Sequence, residues 1–467
     1  MENFKREIKA LAISLLEMGK KPKNFWENIE DLLIEGRTKM RKTILAALSA
    51  VLFSSALPVA AELVFPLLSY RTGAYAPNGI PIADGFTDYL TLINERDGGI
   101  SGEKIKILEC ETAYNTEKGV ECYESMKGSG GLVYWPLSTG ITYQLIPKVT
   151  ADNVPLHTMG YGRTSAANGK IFSHVFNFPG TYWDAASIIT KHMMEVEGGS
   201  LKGKKIALVH HNSAYGKEPI RTFEVLSKKH GFEFITLPVD HPGQEQKATW
   251  LQVRKEKPDF VTMWGWGVMN QVAIKEAASI RYPMDRFIGV WWSSNEGDVL
   301  PAGEKATGYK AIALHNTGTD FEIYKDLKKY VTSKGLSAGA GDHIGEVLYN
   351  RGFMQAALLV EAARTAQKIH GVSNITPAMM RDGLENLKID QARWAEMGLA
   401  NYAPDIAVSC ENHGGPGIGF IQQWDYATKK WNIVSDFIAA DRAVVDPLIA
   451  EDSAAYAAEN NIKERCS

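Results

Sequence analysis

The stretch Lys205-Ile206-Ala207-Leu208-Val209, together with the segments after it, decides the fold. It is a short, nearly unbroken apolar run after a Gly-Lys turn, the pattern of a strand buried on both faces. Pro219 to His230 then reads as a helix, Phe232 to Leu237 as a strand and Trp250 to Glu256 as a helix. Phe260 to Met263 is a strand, Met269 to Ser279 a helix and Phe287 to Val290 a strand. Strands alternating with helices imply a parallel sheet with helices on both faces.

The residues before this block repeat the pattern. Leu63 to Leu68 is an apolar run, and Ile82 to Arg96 carries apolar residues at helical spacing before the glycines of Asp97 to Gly102. Lys104 to Leu108 and Gly131 to Tyr134 read as strands, Thr116 to Lys127 and Thr142 to Thr150 as helices. Two such blocks, about 62–178 and 180–314, imply two doubly wound α/β lobes. Beyond them come helices Phe321 to Lys334 and Val347 to Ile369, the second Ala-rich and suited to close packing on a sheet. Ile418 to Trp424 and Lys430 to Val434 form a hairpin around Asp425 to Thr428. Too little strand remains for a third sheet, so this last third should complete the two lobes by crossing between them. The expected division is 62–178 with 316–405 for the first lobe, 179–315 with 406–440 for the second, and 441–467 as a tail.

The 467 residues are 45% hydrophobic and 22% charged, which excludes disorder for most of the chain. A net charge of −3 gives no broad nucleic-acid surface. Met40-Arg41-Lys42-Thr43, the fourteen uncharged residues Ile44 to Leu57 and the exit Pro58-Val59-Ala60-Ala61 have the layout of a cleavable signal peptide, 40–61. The apolar core is too short to span a bilayer, which takes about 20 residues. We expect cleavage after Ala61, translation from Met40, residues 1–39 as a spurious extension, and a periplasmic product. The segment removed carries ten basic and seven acidic residues, so 41 of 51 and 47 of 54 remain, a net of −6.

No Gly-x-Ser-x-Gly, phosphate-binding loop or His-Glu-x-x-His occurs. His210-His211 has no Cys, Asp or Glu at ligand spacing and reads as an ordinary strand end; neither metal nor cofactor is expected. Cys410 and His413 lie in a Gly-rich loop, where a disulfide suits an exported chain better than a thiol nucleophile. Four cysteines allow three connectivities. We favour Cys110–Cys122, which a strand followed by a helix can bring together, leaving Cys410 with Cys466. Trp264, Trp266, Trp291 and Trp292 follow second-block strands, and Trp135 a first-block strand. Carboxyl ends of strands in open α/β sheets face the ligand crevice, so these residues predict a cleft with aromatic walls.

Thr72-Gly73-Ala74-Tyr75-Ala76, Gly79 and Asn94 to Gly102 resemble the opening of ABC-transporter substrate-binding proteins of the branched-chain amino-acid (Leu/Ile/Val) type. Ser138-Thr139-Gly140, Ala214-Tyr215-Gly216, Pro258 to Val261 and Asn295-Glu296-Gly297 continue the match in order, over about 62–435. The resemblance implies a type I periplasmic-binding fold, two lobes joined by a three-strand hinge and closing on a ligand. It implies a membrane-embedded ABC permease as partner and no enzymatic activity. Carried over by position, Glu296 pairs the ligand's ammonium, Trp266 and Tyr215 form an aromatic wall, and Asn78 lines the side-chain pocket. The first-lobe head-group positions fall on Pro136, Gly160 and Gly162. Proline has neither hydroxyl nor N–H, so Ser138, Thr139 or Arg163 stands in, or the ligand has a different head group. The resulting expectation is a periplasmic protein capturing a small amino acid or related organic acid or amide. The alternatives are a ligand sensor of the same fold and a binder of an aromatic acid. A secreted hydrolase would need a nucleophile–base pair, and none is visible.

Overall fold

The computed structural model describes residues 62–466. The expected signal peptide, cleavage site and upstream extension lie outside the described residues. In the first lobe, β1 (Leu63–Ser69) pairs in parallel with β2 (Ile105–Glu111), and β3 (Leu156–His157) with β4 (Val175–Phe176). The expected strand Gly131 to Tyr134 lies between them but joins only through separate bridges, Val64 to Gly131, Leu67 to Trp135 and Tyr134 to Leu156. The reason is Pro66. Leu132 N–H donates to the Val64 carbonyl (2.8 Å) and Leu68 N–H to that of Trp135 (3.0 Å), so the even residues of β1 face this segment. Pro66 occupies the donor position between them and has no N–H, which interrupts the ladder.

The second lobe is built on β5 (Lys205–His211), β6 (Glu233–Val239), β7 (Phe260–Trp264), β8 (Phe287–Gly289) and β9 (Lys310–Ala313). These run parallel in the order β6-β5-β7-β8-β9. β7 is buried throughout and β5 nearly so, whereas β6, at the edge, alternates. After a small antiparallel pair, β10 (Lys388–Ile389) with β11 (Ile406–Ala407), the chain returns as β12 (Ile418–Asp425), β13 (Lys430–Ile433) and β14 (Ile438–Ala439). The hairpin β12–β13 adds to β9 antiparallel, so the sheet is mixed at one end rather than wholly parallel. Arg442–Asn460 is a helix packed against the 164–167 turn and the helices Tyr182–Val196 and Ile220–His230. Cys110 stands against Cys122, and Cys410 against Cys466, each with Cα atoms 5.8 Å apart and sulfurs bonded.

Two helices of the first lobe set the rest. One runs Ala76–Asp97, beginning before the expected Ile82 because Pro77 sits harmlessly in its first turn. The other is Val347–His370. The Ala-rich helix was expected to lie on a sheet; its main partner is instead this first helix. A Cβ added to Gly352 would lie 1.9 Å from the Ile82 carbonyl oxygen, and one on Gly85 2.0 Å from that of Tyr349. The two backbones therefore touch, and only glycine fits on either side. One apolar cluster runs from Leu63 and Phe65 through the aromatic residues between the lobes to Ile288 and Ile312 of the second sheet.

In an open helix Gly→Ala stabilises by about 1 kcal/mol. At this crossing overpacking outweighs that gain. Gly352→Ala should lose about 2 kcal/mol or more, read as a lower urea midpoint at unchanged slope.

Candidate functional site

The carboxyl ends of the strands of both lobes point at one another, as the crevice rule requires. Tyr70 follows β1, Trp135 ends the bridged segment, and Gly160 to Gly162 follow β3. Across from them, Trp264 ends β7, Trp266 follows it, and Trp291-Trp292 follow β8. These side chains are buried. The indole N–H groups of Trp291 and Trp292 both donate to the Gly160 carbonyl, each at 2.9 Å. Tyr161 stacks on Trp292 at 4.3 Å, and Tyr182 on Trp291 at 5.7 Å. Tyr75 OH bridges His211 Nε2 (2.9 Å) and His241 Nδ1 (2.8 Å), so His211 is more than a bland strand end. Burial lowers the pKa of His211 to about 3, which keeps that ring neutral.

The structure engages most of the residues carried over by position within the protein itself. Gly162 N–H donates to Thr139 Oγ1 (3.2 Å), and Ser138 Oγ caps the helix Thr139–Ala151 through Ile141 N–H. Gly160 has its carbonyl filled by the two indoles. Arg163 pairs with Asp452 at 2.6 Å. Tyr215 OH donates to the Gly265 carbonyl (2.9 Å), and Asn78 Nδ2 to Asp298 Oδ1 (3.2 Å). Glu296 opens the short helix Glu296–Val299, and its Oε2 accepts the N–H of Val347 at 3.0 Å. Carried over as the partner of a ligand ammonium, it lies half-buried at the amino end of the Val347–His370 helix, beside Asn295 and Glu346. Desolvation raises its pKa to about 8 and that of Asp298 to about 7.

Other groups are left over. Trp135 Nε1, Trp266 Nε1 and Asn78 Oδ1 are buried without a hydrogen-bond partner, as is Tyr182 OH. So are Nη1 and Nη2 of Arg351, one turn into the Val347–His370 helix. The Arg351 guanidinium carbon sits 5.1 Å from the centre of the Trp292 ring. Sequence reading did not single out Arg351, Tyr161 or Tyr182. A signal existed for the first: Arg351 and Gln355 are four residues apart, hence on one face, and are the polar residues of an otherwise apolar run from Arg351 to Val360. Gln355 is also fully buried, with both polar side-chain atoms unpartnered.

A doubly wound two-lobed molecule with a buried aromatic crevice is the architecture of a solute-binding protein. Residues 62–429 match the periplasmic binding protein family, and the chain belongs to that family. Leu/Ile/Val-binding protein homolog 3 of Brucella melitensis is 25% identical over 227 residues; the match spans 47% of this chain and 60% of that relative's length. A crystal structure from the Pseudomonas fluorescens group, described as an ABC transporter permease, is 43% identical with a TM-score of 0.80, over 87% of this chain and 99% of that one. A branched-chain amino-acid ABC transporter structure from Thermus thermophilus with bound valine shares the fold at 18% identity, with a TM-score of 0.71 over 83% of this chain and 98% of that one. The likeness read from the sequence therefore holds, and the chain is a binding protein rather than an enzyme. No helix among the described residues is long and apolar enough to cross a membrane.

The raised pKa of Glu296 has a definite sign. A carboxyl held at about 8 against an ordinary 4.5 contributes fully below 4.5 and loses that contribution as pH rises through 8. Glutamine keeps the carbonyl that accepts from Val347 and cannot ionise. Glu296→Gln should therefore melt about 3–6 °C above the parent at pH 8.5 and within about 1 °C of it at pH 5, followed by calorimetry.

Proposed function

We propose that the protein is the periplasmic receptor of an ABC permease, closing its two lobes over one small organic acid or amide and delivering it to the membrane. The observation that carries this reading is the aromatic crevice between the lobes, in which buried polar groups lack protein partners. Buried donors and acceptors in folded proteins are nearly always paired, and each one left unpaired costs about 1–3 kcal/mol. A ligand that supplies the missing partners accounts for their retention. The family supports the transport role, and the layout of residues 40–61 supports export.

The reading requires a hinge movement, since Trp292 and Gly160 now close the way in. A thermal-shift screen of amino acids, amides and carboxylic acids should find a compound that raises the melting temperature. At a hundred times its dissociation constant such a ligand adds about 2.7 kcal/mol. Small-angle scattering should then show a smaller radius of gyration with that compound than after its removal. A stabilising compound that leaves the radius unchanged counts against closure.

A further inference from the structure

We propose that Arg351 anchors the carboxylate of a small planar acid that carries no α-ammonium group. This rests on the solute-binding reading and narrows it to a ligand class.

Arg351 is wholly buried. Its Nε donates to His315 Nε2 at 2.6 Å, and His315 Nδ1 is 2.9 Å from the Asn316 carbonyl, which only a protonated Nδ1 can satisfy. His315 is therefore the neutral tautomer with its Nε2 lone pair turned to the arginine; burial and the adjacent guanidinium hold its pKa well below the usual histidine range. This contact fixes the guanidinium and uses one N–H, leaving the Nη1–Nη2 end free of any partner. The groups acting most strongly on it are Tyr402, Tyr161 and Tyr182, with no acid among them. Burial lowers its pKa only to about 10, so it stays cationic at neutral pH. A buried cation without a counter-ion is costly, and a carboxylate meeting both Nη atoms end-on is the pairing its fork geometry favours.

The remaining groups define the rest of the ligand. The acceptors that position assigns to an α-ammonium already have protein partners, the Gly160 carbonyl two indoles, Glu296 Oε2 the Val347 N–H, and Asp298 both Asn78 and the Asn295 N–H; of the buried acceptors left over, Asn78 Oδ1 and Gln355 Oε1 are neutral amides that bring no counter-charge. The unpaired groups nearest Arg351 are neutral: the Tyr182 hydroxyl, and the Gln355 amide four residues along the same helix face. The walls are ring faces and edges: Trp266 stands edge-on to Trp292 at 5.4 Å and to Tyr70 at 6.0 Å. Flat apolar surfaces with donors among them suit an unsaturated or aromatic carboxylate.

Benzoate and leucine are the probes, tested by calorimetry and thermal shift on the purified protein freed of bound solute by unfolding and refolding. Benzoate should bind and raise the melting temperature; leucine should do neither. Arg351→Met should weaken benzoate about a hundredfold or more, and Arg351→Lys about tenfold, since ammonium keeps the charge without the fork. Without benzoate, Arg351→Met should melt at or above the parent temperature, because an unpaired buried charge is gone. A purely structural arginine gives the opposite sign, a lower ligand-free melting temperature with unaltered benzoate affinity, and overturns the proposal. Leucine binding equally to parent and Arg351→Met overturns it too, while leaving the solute-binding reading intact. Benzoate without effect on the parent refutes the planar-acid class. Failure of every compound in the wider screen, with no compaction, removes the solute-binding reading itself.

Discussion

The helix crossing made at Gly85 and Gly352, where each glycine lies against the other helix's backbone, constrains everything around the crevice. Two helix backbones in van der Waals contact leave no freedom of axial slide. The amino end of the Val347–His370 helix is thereby fixed against Asn295 and Glu296 of the other lobe, which accept the N–H groups of Leu348 and Val347. Those N–H groups belong to the unsatisfied first turn of a helix, where acceptors are most favourable. The same placement delivers Arg351, the residue before Gly352, to the Trp292 ring. A helix shifted by even one residue would turn Arg351 by about 100° and bury it in the packing between helices.

Polar satisfaction then divides the crevice into two populations. Gly160, Gly162, Ser138, Thr139 and Glu296 are engaged by the protein, and they join the lobes or cap helices. Trp135, Trp266, Tyr182 and Arg351 hold groups that the protein leaves unpaired. The division follows from local replacements. Trp291 and Trp292 place two indole N–H groups at the carbonyl of Gly160, so this part of the crevice is filled by side chains of the second lobe. Of the free groups, the guanidinium of Arg351 lies over the ring of Trp292.

The second lobe was legible because its strands are apolar on both faces and its helices are amphipathic; the elements read from Lys205 to Val290 fall within a residue or two of the observed ones, apart from the helix read from Trp250, which begins at Lys247. The first lobe was harder to read. Pro66 thins the ladder at Gly131 to Trp135, and Pro81 hides the first turns of the Ala76–Asp97 helix. The helix Arg442–Asn460 had no clear signature, since its buried residues, Val444, Val445, Leu448 and Ser453, make a narrow and partly polar stripe. In the crevice, the aromatic residues were readable from their places at strand ends. Glu296 was readable as a position but not as a direction, because a side chain's target depends on which helix end lies opposite it. Arg351 was illegible in its role for the same reason: a charge within an apolar helix becomes a site only once the facing element is known to be a cleft.

An arginine without a counter-ion also bears on how closure is controlled. In an open crevice water solvates the guanidinium, and the lobes are free to part. Closing without a ligand strips that water and supplies nothing in its place, so the empty closed form is disfavoured by several kcal/mol. A carboxylate removes the penalty by acting as the missing counter-ion, and it does so only in the closed form. The ligand therefore has a large differential affinity for one of the two states, which is the condition for a bound solute to shift the population. The contacts that need no ligand, from Trp291 and Trp292 to Gly160 and from Tyr75 to the two histidines, pull the other way. The balance between these neutral latches and one uncompensated charge sets how tightly occupancy is coupled to shape, and occupancy coupled to shape is what a permease can read.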